Sequence, residues 1–165
     1  MIQGKIRKTW NPKHFKKLKY HLGNSGKPFQ RIGASKQMIE AYDNRAGAHI
    51  CNEIPEIFLK IAEDFGLANT VVALHKMKVG QVLPWHVDSC KTYIARNKIR
   101  NKKNIVRIII FLEDAMPGHQ LWIKDKLCNG EAGTFFGWMY GTKHMAANLG
   151  ERDRYTLQIT GLRKF

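Results

Sequence analysis

The stretch Pro84-Trp85-His86-Val87-Asp88 places an imidazole and a carboxylate two residues apart. On a strand, side chains at i and i+2 share a face, so His86 and Asp88 point one way while Trp85 and Val87 point the other. The two lie about 7 Å apart along such a strand, close enough to chelate one ion with modest twist. A third ligand must come from elsewhere. His144, 56 residues beyond Asp88 and near the start of a late strand, is the candidate. Two imidazoles and one carboxylate on one face of a divalent ion leave positions open for further ligands, as an iron(II) oxygenase requires. An HxD pair standing alone has a plainer reading as hydrogen-bonded surface residues, and the downstream sequence decides against it.

Arg154 lies ten residues after His144, with turn-like sequence from Asn148 to Asp153 between them. If the two flanking strands close a hairpin around Gly150, His144 faces Thr156 and Arg154 lies on the same face nearer the turn. Paired residues are about 5 Å apart and diagonal ones about 7–8 Å. A five-carbon dicarboxylate could then chelate the metal with its 2-oxo acid end and meet Arg154 with its far carboxylate. The planar guanidinium fork suits that role because it donates two parallel hydrogen bonds to one carboxylate. In the last strand Arg154, Thr156, Gln158 and Thr160 share one face, and Tyr155, Leu157 and Ile159 share the other.

The elements that must position these groups are short strands. Segments 70–78, 82–88, 105–112, 120–124, 134–138, 143–148 and 154–160 are rich in β-branched and aromatic residues and separated by turn-forming ones. Two helices precede them, at 35–44 and at 52–65. The second has Asn52 as its cap, Pro55 in the first turn, Ile54, Ile57, Phe58, Ile61 and Phe65 at helical spacing, and Gly66 at its end. Seven strands after two helices predict a mainly β, α+β fold, a sandwich or barrel with helical packing on one side. The polar stretch 91–104 reads as a mobile loop. Residues 1–30 are basic, with Asn24, Ser25, Gly26 and Pro28 breaking any helix.

A chain of 165 residues fits one domain, here a basic N-terminal segment with supporting helices over 1–69 and a β core over 70–161. No apolar run approaches a membrane span, and the first residues lack a signal-peptide core. Three cysteines in no CxxC pattern point to a reducing, cytoplasmic setting. Twenty-eight Lys and Arg against 13 Asp and Glu leave a net charge of +15. That excess favours polyanionic partners. A solvated basic surface with no specific partner is the alternative.

Taken in order, PWHVD, VRIIIFLED, GHQLWI, GEAGTFF and KHMAANLGERDRYTLQITG resemble the iron(II)/2-oxoglutarate oxygenases. The likeness is to small prolyl-hydroxylase-like or aspartyl-hydroxylase-like members, including compact ones encoded by bacteriophages, and covers residues 70–161. It implies a double-stranded β-helix (a jelly-roll, cupin-like barrel) with Fe(II) on His86, Asp88 and His144. It further implies 2-oxoglutarate as co-substrate on Arg154 with Thr156 beside it, and O2 as oxidant. The family reaction releases succinate and CO2 and hydroxylates an unactivated C–H bond. Many prolyl hydroxylases carry Lys where this chain has Arg154. Arg107 and Tyr93 are candidates for a second co-substrate contact, Arg107 being equally an ion-paired barrel residue. The substrate class stays open among a protein side chain, an amino acid, an anionic metabolite and a nucleic acid. The setting is the cytoplasm, that of the host if the chain is phage-encoded. Rival readings are a non-catalytic metal- or acid-binding β-barrel and a basic nucleic-acid-binding module.

Overall fold

The structure is a computed structural model, and it describes residues 1–23, 33, 35–37 and 47–164. The strands in chain order are β1 (Ile2–Lys5), β2 (His21–Leu22), β3 (His49–Cys51), β4 (Ala68–Met77), β5 (Val82–His86), β6 (Ile105–Phe111), β7 (His119–Ile123), β8 (Lys126–Leu127), β9 (Thr134–Met139), β10 (His144–Asn148) and β11 (Arg154–Leu162). Helix α1 (Glu56–Asp64) lies between β3 and β4, and α2 (Lys91–Arg96) between β5 and β6. The strands form two antiparallel sheets, one of seven strands in the order β1-β9-β6-β11-β4-β3-β2 and one of four in the order β5-β10-β7-β8. This is a jelly-roll, the double-stranded β-helix expected from the sequence.

The central strand β11 shows how the sequence builds two cores. Leu157 and Ile159 are fully buried on one face, where Phe58, Ile61 and Ala62 of α1 join the same apolar cluster. Trp10 seals that side, stacking near Phe58 with centroids 6.2 Å apart and donating its indole N–H to Leu112 O at 2.9 Å. The other face of β11 turns Arg154, Thr156 and Gln158 into the space between the sheets. There a second cluster forms from Met77, Ile109, Phe111, Leu121, Ile123 and Phe136 with their neighbours.

Several expectations are corrected. Helix α1 starts at Glu56, after Pro55 and with no side-chain cap, so Asn52 lies outside it. Its end is as expected, at Gly66 with φ +62°. Segment 91–104 is no open loop: it holds α2 and a 3-10 turn at Lys102–Asn104 that Asn101 caps through Lys103 N. The asparagines missed in that reading supply the local bonds, Asn97 Nδ2 donating to Tyr93 O at 2.9 Å. Strands β10 and β11 do not pair. Strand β10 lies between β5 and β7, while β11 lies between β4 and β6 in the other sheet. Thr156 therefore pairs with His75 and Phe111, not with His144. The helix expected at 35–44 lies mostly outside the described residues, as does the break at 24–28. The three cysteines are free thiols, and no described helix is long and apolar enough to cross a membrane.

The crossing from β10 to β11 is fastened by Asn148, which is fully buried. Its Nδ2 donates to Met77 O and Arg152 O, both at 2.8 Å, and its Oδ1 accepts from Gly150 N at 3.1 Å. One side chain thus ties the end of β4 to the loop that delivers Arg154. Asn148→Leu would strand these backbone groups without partners, at about 1–3 kcal/mol each. Denaturant unfolding should show a loss of about 3 kcal/mol; a change under about 1 kcal/mol would mean that the loop is held by something else.

Candidate metal centre

His144 stands directly opposite His86 in the β10–β5 ladder. Their ring centroids are 4.3 Å apart. The ladder is irregular next to this pair: His144 faces His86, but Ala146 faces Leu83. Two residues of β5, Pro84 and Trp85, therefore oppose the single residue Met145. That is a β-bulge, and proline suits it because no N–H is lost from the pairing there. Regular alternation would turn Leu83 and His86 to opposite faces. The extra residue lets both face the cavity. Asp88 lies two residues past the end of β5, so the sequence reading of one regular strand over 82–88 is corrected in both respects.

The donor atoms of His86, Asp88 and His144 all lie within 4.8 Å of one another. His86 Nε2 is 3.7 Å from Asp88 Oδ1, and His144 Nε2 is 3.3 Å from Asp88 Oδ2. Each imidazole has its Nδ1 on a backbone carbonyl, His86 on Pro84 O at 2.6 Å and His144 on Thr142 O at 3.0 Å. A carbonyl only accepts, so Nδ1 carries the proton and Nε2 presents a lone pair. Burial pushes His144 down to about 4, against the pull of Asp88, so it is neutral at pH 7. Its ring is held between His86 and Trp138, whose centroid is 4.6 Å away. Burial opposes ionisation of Asp88, but the Arg107 guanidinium and the two histidines outweigh it and hold the carboxyl well below the usual range. The two Nε2 atoms and the carboxylate thus converge on one point. Asp88 Oδ2 is buried with no hydrogen-bond partner. A divalent cation fits this donor set, and anchoring of each Nδ1 on a carbonyl orients both Nε2 atoms toward it.

These groups open on a cavity of about 700 Å³. Arg154, 4% exposed, lies on its wall. Its guanidinium stacks 5.4 Å from the Phe111 ring centroid, and its Nη1 reaches only Met77 Sδ, at 3.4 Å. Its Nε has no partner, and no carboxylate pairs with it among the described residues. Burial lowers its pKa to about 10, leaving it charged at neutral pH. Thr156 lies on the same cavity wall. Arg107 is spent differently: its Nη1 is 2.8 Å from Asp88 Oδ2, an ion pair off hydrogen-bond alignment. Tyr93 lines the cavity, but its hydroxyl donates outward to Asn69 O at 2.9 Å. His75, which the sequence reading did not place at the site, also lines the cavity. The signal was its place on β4, two residues before Met77 on the same inward face. His49 and His119 are bonded elsewhere, to Gln81 and to Arg152 O.

No family model matches the chain, and no curated protein matches it. Solved structures do. A prolyl-4-hydroxylase from Pseudomonas putida is similar at TM-score 0.52 and 16% identity, covering 72% of each chain. An uncharacterized conserved protein with a double-stranded β-helix domain from Klebsiella pneumoniae is similar at TM-score 0.40 and 14% identity, over 56% of this chain and 67% of that one. AerE from Microcystis aeruginosa is similar at TM-score 0.41 and 14% identity over 57% of this chain, which spans only 36% of that protein. Identities this low speak for the fold. Fold and site together define a jelly-roll barrel with an inward His-Asp-His cluster that could hold a metal ion.

Two outcomes test this centre. His86→Ala removes one of the three donors and leaves the bulge in place. Wild-type protein at Mn(II) concentrations about 100-fold above its dissociation constant should gain about 3 kcal/mol of stability. The His86→Ala variant should keep its β-sheet circular dichroism and lose that gain; an undiminished gain would mean that His86 does not ligate. The second concerns pH. Burial, with Arg107 and Arg154 nearby, lowers His75 from 6.5 to about 4, and His144 reaches a similar value. Between those values the unfolded chain binds more protons, so the metal-free protein loses stability as pH falls from 6.5 through 4. Each group contributes up to about 3 kcal/mol. His49 and His119 are lowered by burial as well, so His75→Gln should flatten that slope by at most about 1.4 kcal/mol per pH unit in urea titrations across the window; an unchanged slope would place the proton uptake elsewhere.

Proposed function

We propose that this chain is an iron(II)- and 2-oxoglutarate-dependent dioxygenase, a hydroxylase that releases succinate and CO2. The observation that carries this reading is Arg154, a buried guanidinium without an acidic partner among the described residues, on the wall of the cavity that holds the triad. An uncompensated buried charge costs several kcal/mol. A dicarboxylate co-substrate offsets that cost when its far carboxylate meets the guanidinium, with Thr156 as a neighbouring hydroxyl. Its 2-oxo acid end is a bidentate chelator suited to a metal that keeps positions open.

His86, Asp88 and His144 would hold the iron. Bound there, iron(II) supplies the activation of O2 coupled to oxidation of the co-substrate. The rest is work for the protein's own groups. Pro84 O and Thr142 O fix the imidazole tautomers. Arg107 keeps Asp88 ionised and steers its carboxylate. The indole of Trp138 holds the His144 ring in place. A cavity with two guanidiniums against one carboxylate favours anionic occupants. The primary substrate on this reading is a protein side chain, an amino acid, an anionic metabolite or a nucleic acid. The free thiols accord with a cytoplasmic setting.

The rival is a metal- or acid-binding barrel without oxygen chemistry. Anaerobic addition of 2-oxoglutarate to the iron(II) protein should produce a weak visible charge-transfer band, and succinate should form when O2 is admitted. Arg154→Met separates the two roles of that residue. It should stabilise the co-substrate-free protein by about 1–4 kcal/mol by removing the unpaired charge. It should also weaken 2-oxoglutarate binding about 100-fold, two to three kcal/mol, as expected for a lost charge-assisted pair. Absence of the band, or co-substrate affinity unchanged in Arg154→Met, would leave the rival standing.

A further inference from the structure

Between Asp88 and Glu113 the chain carries seven of its 28 Lys and Arg and none of its 13 Asp and Glu. One of the seven, Arg107, turns inward to Asp88. The other six, Lys91, Arg96, Lys98, Arg100, Lys102 and Lys103, are exposed, and none has an ion pair among the described residues. They sit on an ordered cap. Ile99 N donates to Ile94 O at 3.1 Å, folding the segment back on α2, and Tyr93 anchors the cap to Asn69. Arg163 N donates to Asn104 O at 3.0 Å, which brings exposed Arg163 and Lys164 alongside. At the other end, Lys91, Thr92 and Tyr93 line the cavity.

The chemistry of this surface selects its partner. Protein interfaces are anchored by apolar and aromatic side chains in a desolvated centre. None of the large exposed hydrophobic residues lies in 89–104. What the cap offers is closely spaced cations, with asparagines between them, leading to an aromatic residue at the edge of a concave pocket. That is the pattern of a surface that tracks a phosphate backbone and receives an unstacked base. A paired duplex cannot present a base to the cavity, whereas a single strand can.

We propose that this cap docks single-stranded nucleic acid, with phosphates along the cations from the Arg163 side to Lys91. The binding does not depend on the oxygenase reading. The test is fluorescence anisotropy with a labelled single-stranded oligonucleotide of about 20 nucleotides over a salt series, each phosphate contact contributing about 0.7 to the log–log slope. Charge reversal at Lys98, Arg100 and Lys102 to Glu should lower the slope by about 2 and the affinity more than tenfold at about 0.1 M salt. The same reversal at exposed Lys13, Lys17 and Lys19 changes net charge equally and should alter affinity less than about threefold. Wild-type protein treated with a chelator should bind as untreated protein does, so failure of the metal reading would not disturb this result. If the charge-reversed cap fails to fold by circular dichroism, the Gln versions of the same three residues take its place. Equal weakening by both triple changes would reduce the effect to bulk charge and overturn the proposal. So would equal competition by the duplex form, or by polyglutamate of matched charge, which would point to an acidic protein instead.

Discussion

One extra residue in β5 governs the site. The ladder between β5 and β10 runs in register up to Leu83 and Ala146, slips at Pro84 and Trp85, and resumes with His86 against His144. Without the slip, the period of two would send His86 to the face opposite Leu83. The bulge also explains why His86 Nδ1 lies only 2.6 Å from Pro84 O, a carbonyl two residues back on the same strand. The same distortion that turns the ring inward thus fixes its tautomer. Asp88 then needs only the short connection past the strand to reach both Nε2 atoms.

Around that point the cavity is built on a charge imbalance that packing alone would not favour. Among the described residues, Asp88 is the single carboxylate in it against two guanidiniums. The two guanidiniums are held in opposite ways. Arg107 has a counter-ion and rests at 2.8 Å from it, whereas Arg154 rests on a thioether and an aromatic face. Phe111 and Met77 give Arg154 dispersion and cation–π attraction, of order 1–2 kcal/mol, which is less than the desolvation of a full charge. Asn148 fixes the loop that places it, so it cannot escape to solvent without breaking buried hydrogen bonds. The imbalance is therefore structural, and an anion entering the cavity lowers the energy of the whole assembly.

Much of the fold was readable because its signals are local. Strands β6, β9 and β11 are runs of β-branched and aromatic residues, and α1 shows its apolar face at helical spacing with a glycine at its end. The inward face of β11 follows from simple alternation, which set Arg154 and Thr156 on one side and Leu157 and Ile159 on the other. What could not be read depends on partners distant in sequence. Nothing local to residues 148–153 says whether the chain turns back in a hairpin or crosses to the facing sheet, so the expected pairing of His144 with Thr156 was wrong. The bulge at Pro84 was visible only as a proline. Strands β2, β3 and β8, at two or three residues each, are too short for periodicity to show. The cap at 91–104 was hidden by composition, since asparagine and lysine suggest solvent-exposed loops until their bonds to neighbouring carbonyls are seen.

The crossing between sheets matters beyond topology. A hairpin would have put Arg154 and His144 on one ladder, with their separation set by strand spacing alone. With β10 and β11 in facing sheets, the triad and the guanidinium line opposite walls of one cavity, and their separation is set by the side chains that fill the space between. Trp138, Thr156, His75 and Leu121 line that space, so their volumes decide what length of ligand can bridge it. On the function proposed above, selectivity for one dicarboxylate over a shorter or longer one would belong to these wall residues rather than to the charged groups at either end.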